Sequence, residues 1–229
     1  MSPPPVRTNL DERMGVLRGM MERFFEMVHD AYSIAFQTDR IHEAVEESAN
    51  LRDDAATHAE RLAQELLLVL TLNQPLLQDL RIIAASLRSV DVLERLARHA
   101  RDIAELHRDW QERAKEGATI PEDVNTGLHK MHNIVLDLLV MAQACHVDGD
   151  DVPVEKILTL HRELNETFSV TIEHLLEESK SQVAGREGRL LLATTARRLE
   201  RSGYNLMRLF DLWHHAKTNT WIRFESGGK

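Results

Sequence analysis

Histidine is the residue type with most scope for chemistry in this chain, with 12 copies against a single cysteine. His129 and His132 stand three apart on a helical stretch, where imidazoles share a face and can clamp one transition metal from adjacent turns. So many histidines produce that spacing by chance, and a solvated surface pair is the simpler expectation. Glu26-x-x-His29 and Asp211-x-x-His214 carry the spacing of di-iron centres in helical bundles, which need two such pairs plus a lone Glu from each of two more helices. Glu26, however, lies nearly opposite the apolar stripe through Phe24 and points away from the core where such a centre forms. The sequence holds no His-Glu-x-x-His, no phosphate-cradling Gly-rich loop, no Cys-x-x-Cys and no nucleophile elbow. These exclusions favour binding and regulation over catalysis, and no catalytic residue is expected.

The composition sets the frame that must position any site. Aromatic residues are scarce while Leu, Ala, Glu and Arg abound, which favours helices packed through aliphatic stripes and leaves strands hard to place. Cys145 has no partner for an internal disulfide and reads as a small buried apolar residue. Three consecutive prolines near the N-terminus occupy the place of a signal-peptide core, and apolar runs such as Leu66–Leu70 fall far short of a membrane span, so a cytoplasmic protein is expected. A formal charge of −9 repels nucleic acid and anionic lipid at long range. The arginines at 95, 98, 101, 197, 198 and 201 alternate with acids on helices, as in salt-bridged faces.

Apolar spacing predicts six helices, with residues 1–8 expected to be a disordered tail. The first runs from Asn9 to about Thr38 and the second from about Ile41 to Leu72, with Ala49, Ala56, Ala59, Ala63, Leu66 and Leu70 facing inward. Asn73 is expected to cap the third, with Pro75 in its first turn, and this helix continues to about Trp110. Beyond Gly117, Thr119-Ile120-Pro121-Glu122 has the pattern of a capping box opening a fourth helix that ends near His146. A turn at Asp148–Pro153 starts the fifth helix, which extends to about Gln182; Gly185 and Gly188 mark the last break, and the sixth helix reaches about Thr218. The tail from Ser226 is expected to fray, and Trp213, Trp221, Ile222 and Phe224 either fold back onto the bundle or make a dimer contact. The expectation is an all-α chain of two tandem three-helix bundles, residues 1–116 and 117–229, related by an internal repeat. Leu93-Glu94-Arg95 and Leu199-Glu200-Arg201 fall at comparable points of the third helix of each half.

That repeated Leu-Glu-Arg, with Gln74-Pro75 and Asp79-Leu80-Arg81, resembles the PhoU family of phosphate-uptake regulators, whose third helix reads Gln-Pro, Asp-Leu-Arg and then Asp-Leu-Glu-Arg-Ile-Gly-Asp. The resemblance implies a tandem pair of three-helix bundles, usually dimeric or larger. It implies an adaptor between the ATPase subunit of a phosphate ABC transporter and a sensor histidine kinase, repressing phosphate-starvation genes when phosphate is plentiful. Contact with nucleic acid is not expected, and the membrane is reached only through partners. Two other readings stay open: a metal-binding helical protein for storage or sensing, and a paralogue serving another transporter.

The family also carries a Glu/Asp-x-x-x-Asp motif in each repeat, whose carboxylates hold surface metal ions. On a helix that spacing sets two hard oxygen ligands side by side for one cation. This sequence departs from it, with Val92 for the first acid, Arg98 four residues after Glu94, and Tyr204 four after Glu200. Arg98 puts a fixed positive charge where a ligand belongs, so Glu94 and Arg98 are expected to form an (i, i+4) ion pair worth roughly 0.2–0.5 kcal/mol. Asp91, Glu94, Glu200 and Asp211 are the carboxylates left to hold a divalent, iron or zinc ion; otherwise this is a solvated charged face or a partner surface. In the helix carrying Glu200, the stripe Leu192, Thr195, Leu199, Leu206, Phe210 and Trp213 is the expected seam, and Glu200, Tyr204, Met207 and Asp211 lie on its flank.

Overall fold

Six stretches with apolar residues every three or four positions become six helices: α1 (Pro5–Ala35), α2 (Ile41–Asn73), α3 (Leu77–Lys115), α4 (Glu122–Gln143), α5 (Val154–Leu176) and α6 (Glu178–Thr218). The structure, a computed structural model, describes residues 5–37, 40–115 and 117–222, with backbone alone at 5–8 and 178–184. The described residues contain no strand. Helices α1–α3 pack on one another, as do α4–α6, and the two triplets meet mainly along α3 and α6, the most extensive helix pair of the molecule. One apolar core runs through both triplets, from Phe24 and Leu62 to Leu128 and Phe210. The expected α6 seam is buried in full. Among the described residues no helix is long and apolar enough to cross a membrane.

Several boundaries differ from the sequence reading, and local chemistry explains most of them. Helix α1 begins at Pro5, so residues 5–8 are helical where a disordered tail was expected; residues 1–4 lie outside the described residues. A proline near a helix start forfeits only an amide that has no partner there anyway. Asn73 does not cap α3 but ends α2, and Gln74 reverses the chain in the left-handed conformation (φ 44°, ψ 56°). Pro75 has no N–H for the carbonyl one turn back, so α2 cannot continue through it. The capping box at Thr119 does not form either: α4 starts at Glu122 with Pro121 in the cap position and no side-chain cap. Proline disfavours helical geometry in Ile120 before it, which removes the first turn the box would need.

On α2 the inward face is rotated by about one residue from expectation at several points. Ala55, Leu62 and Val69 are buried where Ala56, Ala63 and Leu70 were expected, while Ala59 and Leu66 face inward as read. Helix α5 ends at Leu176 rather than near Gln182, with Glu177 extended. Leu176–Glu178 contain neither proline nor glycine, so the apolar pattern reads straight through them. The break expected at Gly185 is present, as a non-helical residue (φ 67°, ψ 172°) that only glycine adopts without strain. Past Gln143, α4 loosens into a π turn, Ala144–Asp148, which closes on left-handed Gly149. At the C-terminal end the chain folds back: Trp221 stacks on His215 at 4.0 Å and the Ile222 amide donates to Asp211. Phe224 and the tail from Ser226 lie outside the described residues.

Buried histidines tie the helices together. The last carbonyls of α1 have no partner within the helix, and they are met from neighbouring helices by His132 Nε2 at the Tyr32 carbonyl and His107 Nδ1 at the Ala35 carbonyl, both at 2.9 Å. His129 and His132 are therefore not the expected surface pair. His129 is exposed, while His132 is buried and stacked on Phe36 at 4.1 Å, because the α1 terminus needs both an apolar lid and an N–H donor. His146, in the π turn, reaches the Leu209 carbonyl of α6 at 3.1 Å. Glu26, as expected, faces solvent and pairs with Arg23.

Burial disfavours the charged form of these imidazoles and pushes His132 and His146 down to about 4. In the unfolded chain they titrate near 6.5. Below that value the unfolded state takes up protons that the native state refuses, so these groups stabilise the fold fully above pH 6.5 and progressively less toward pH 4. The urea midpoint is expected to fall continuously through that window; a flat midpoint from pH 7 to pH 4.5 would show that the imidazoles are not held neutral by the fold.

Candidate functional site

The two Leu-Glu-Arg segments sit at the junction of α3 and α6. Leu93 and Leu199 are both fully buried, which fixes how the rest of each segment projects. Between them three helices contribute one polar node. Ser202 on α6 donates to the Arg198 carbonyl at 2.7 Å and accepts from the Tyr32 hydroxyl of α1 at 2.5 Å and from His99 Nδ1 of α3 at 3.2 Å. A serine hydroxyl has one donor and two acceptor positions, so this set fills it. Tyr32 and Ser202 are wholly inaccessible. Burial drives the Tyr32 phenol well above its ordinary range. Burial and then the Arg198 guanidinium, aided by Arg95, Arg98 and Arg201, push His99 down to about 4. The node is therefore neutral at physiological pH.

Sequence reasoning did not single out Tyr32, His99 or Ser202. The available signal was a polar residue inside an apolar stripe: His99 lies one turn from Leu96 and Ile103 on the inward side of α3.

Around this node the helix surfaces are laced with ion pairs. Glu94 pairs with Arg98 at 3.7 Å, as its spacing implied, Arg101 with Glu105 at 2.7 Å, and Arg198 reaches across to Asp102 at 3.0 Å, linking α6 to α3. Glu200, whose side chain is 14% exposed, is flanked by Arg197 and Arg201, each 3.7 Å from the same oxygen. Asp91 is exposed, and Asp211 holds the returning chain at Ile222.

Of the four carboxylates left from the metal motif, three thus have separate engagements and Asp91 faces solvent. No group of three metal-ligating side chains assembles among the described residues. A hard cation gathers several oxygens around itself, whereas Glu94 and Glu200 are each already neutralised by guanidinium. These residues do not fit a metal site of the family's type; the face is built from guanidinium–carboxylate pairs instead. Protein dialysed against metal-free buffer is expected to carry less than one equivalent of iron, zinc or manganese by elemental analysis. A stoichiometric ion lost on Glu200→Gln would contradict this.

The node itself has an energetic signature. Tyr32→Phe removes one donor and leaves Ser202 bonded twice, a cost of about 1 kcal/mol. Ser202→Ala strands both the phenol and the imidazole N–H in the core, at about 1–3 kcal/mol each. Denaturant melts should rank Ser202→Ala well below Tyr32→Phe, and equal losses would mean that the node is not the shared junction described.

Residues 17–106 match the family model described as the PhoU domain. No curated protein matches the chain by sequence. Among solved structures, PhoU from Pseudomonas aeruginosa aligns over 94% of this chain and 98% of its own, with a TM-score of 0.73 and 16% identity. The phosphate transport system regulatory protein PhoU from Streptococcus pneumoniae aligns over 95% and 99%, with a TM-score of 0.78 and 16% identity. At that identity the structures speak to the fold, and the matched domain spans α1 to most of α3. The chain thus carries a PhoU domain in its first half and has the PhoU fold along nearly its full length.

Proposed function

We propose that this chain regulates phosphate transport and phosphate-starvation signalling, as a cytoplasmic adaptor between the ATPase subunit of a phosphate ABC transporter and a sensor histidine kinase. The observation that carries the reading is the PhoU domain at residues 17–106. The protein of like fold from Streptococcus pneumoniae, a phosphate transport system regulatory protein, agrees with it. The reading requires no catalytic residue. Regulation is a difference in affinity for two states of a partner, which a rigid helical surface supplies without chemistry. It also takes the protein to act as a homodimer, reaching the membrane only through its partners.

An adaptor needs a surface that a partner can desolvate. Leu72, Leu76, Leu77 and Leu80 at the turn from α2 into α3 are all strongly exposed, with Leu77 at 81%, and they crowd into nine residues of chain. Contiguous exposed apolar surface of this kind marks interaction sites on soluble proteins. It coincides with the Gln74-Pro75 and Asp79-Leu80-Arg81 segments that carried the resemblance.

Deletion in the native host is expected to raise phosphate uptake and phosphate-regulated transcription when phosphate is plentiful. A chain carrying Leu76→Ser and Leu77→Ser should fold normally, with stability within about 0.5 kcal/mol per site, yet fail to capture the transporter ATPase from phosphate-replete cells. Unchanged uptake and transcription on deletion would overturn the assignment.

A further inference from the structure

A cavity of about 150 Å³ lies between the two triplets, bounded by α1, α2 and α3 on one side and by the π turn and α6 on the other. Its walls are apolar, from Leu17, Leu62, Leu66, Ile83 and Trp213. Engineered apolar cavities of this size accept a single aromatic ring.

One of the residues lining the cavity also carries a buried polar atom with no protein partner. His146 lines it and is 7% exposed. Its Nε2 faces the Leu209 carbonyl at 3.1 Å, and a carbonyl only accepts, so the proton resides on Nε2. Nδ1 is therefore a bare acceptor, and no protein group reaches it. The ring cannot turn to find one, because it is wedged between Phe25, with centroids 5.6 Å apart, and Trp213, at 5.0 Å. Burial keeps the imidazole neutral to about pH 4, so protonation does not resolve the deficit. The π turn, an irregularity that recurs at functional sites, carries this histidine into the bundle.

The mouth has a different character. Arg18 and Gln78 are exposed there, and Lys217 is half-buried. Lys217 gives one hydrogen bond to the Gly149 carbonyl at 2.8 Å and has the Asp151 carboxylate at 3.9 Å, which leaves capacity in its three donors. Two cations at the rim of an apolar hole favour a ligand with an anionic head.

We propose that this cavity is a binding site for a small hydroxyaryl carboxylic acid, its ring among Leu62, Leu66 and Ile83, its hydroxyl donating to His146 Nδ1 and its carboxylate at Lys217 and Arg18. A hydroxyl supplies the donor that Nδ1 lacks, and the carboxylate meets the cationic rim. Occupancy would bridge the two triplets, since each contributes one end of the site.

Isothermal titration of the full chain with the three hydroxybenzoate isomers, benzoate and phenol tests this. At least one hydroxybenzoate should bind saturably at one per chain, with benzoate and phenol each about tenfold weaker, the cost of one buried polar contact. Leu66→Phe and Ser86→Leu, which fill the cavity, should abolish binding while circular dichroism and melting confirm the fold; His146→Phe should bring the hydroxybenzoate down to the affinity of benzoate. No saturable binding by any hydroxybenzoate would mean that the cavity holds only solvent and would overturn the proposal. Binding that survives both filling variants, or benzoate binding as tightly as its hydroxylated form, would overturn it as well. The filling variants decide the matter if His146→Phe does not fold.

Discussion

The contact between α3 and α6 is the constraint on which the rest of this molecule depends. Each of these helices closes its own triplet and also forms most of the boundary with the other, so the same residues must satisfy two sets of neighbours. Aliphatic stripes supply the bulk of the burial, but stripes can slide. The Ser202 hydroxyl, bonded to Tyr32 and His99, gives this crossing a directional lock in which α1, α3 and α6 meet at one point. Outside it, the Arg198–Asp102 pair repeats the link at the solvent margin. Exposed ion pairs add little stability, so the buried node and the leucines around it fix the register.

That arrangement bears on what the family's carboxylate motif has become in this chain. The motif positions lie on the outer margins of the two helices that cross. With acids at the paired positions, a cation would screen their mutual repulsion; with Arg98 beside Glu94, and Arg197 and Arg201 beside Glu200, the screening is built into the chain. On this surface guanidinium–carboxylate pairs stand where the resemblance led one to expect paired carboxylates. The exposed leucines at the α2–α3 turn sit apart from it, which separates the surface proposed for partners from the surface that joins the halves.

The helical class, the helix count and the α6 seam were legible in the sequence because amphipathic periodicity over long segments is hard to mistake. The Glu94–Arg98 pair was legible for the same reason, as spacing on one helix decides it. What was not legible depends on tertiary partners. Whether His132 faced water or the core turned on the unmet carbonyl of Tyr32, 100 positions away. The Thr119 capping box failed because Pro121 biases its predecessor, a local conflict between two start signals. Neither the node at Ser202 nor the bare Nδ1 of His146 leaves a periodic trace, since a single polar residue in an apolar stripe reads like noise until its partners are known.

Treating the two triplets as one structural unit, joined through α3 and α6, is the central physical claim. Native-state hydrogen exchange tests it directly, because amides that open together share one free energy. The slowest amides of α3 around His99, of α6 around Ser202 and of α4 around Leu138 should exchange with the same opening free energy, equal to that of global unfolding. If α4 and α5 exchange through an opening several kcal/mol cheaper while α1–α3 stay protected, the halves are independent and the account is wrong.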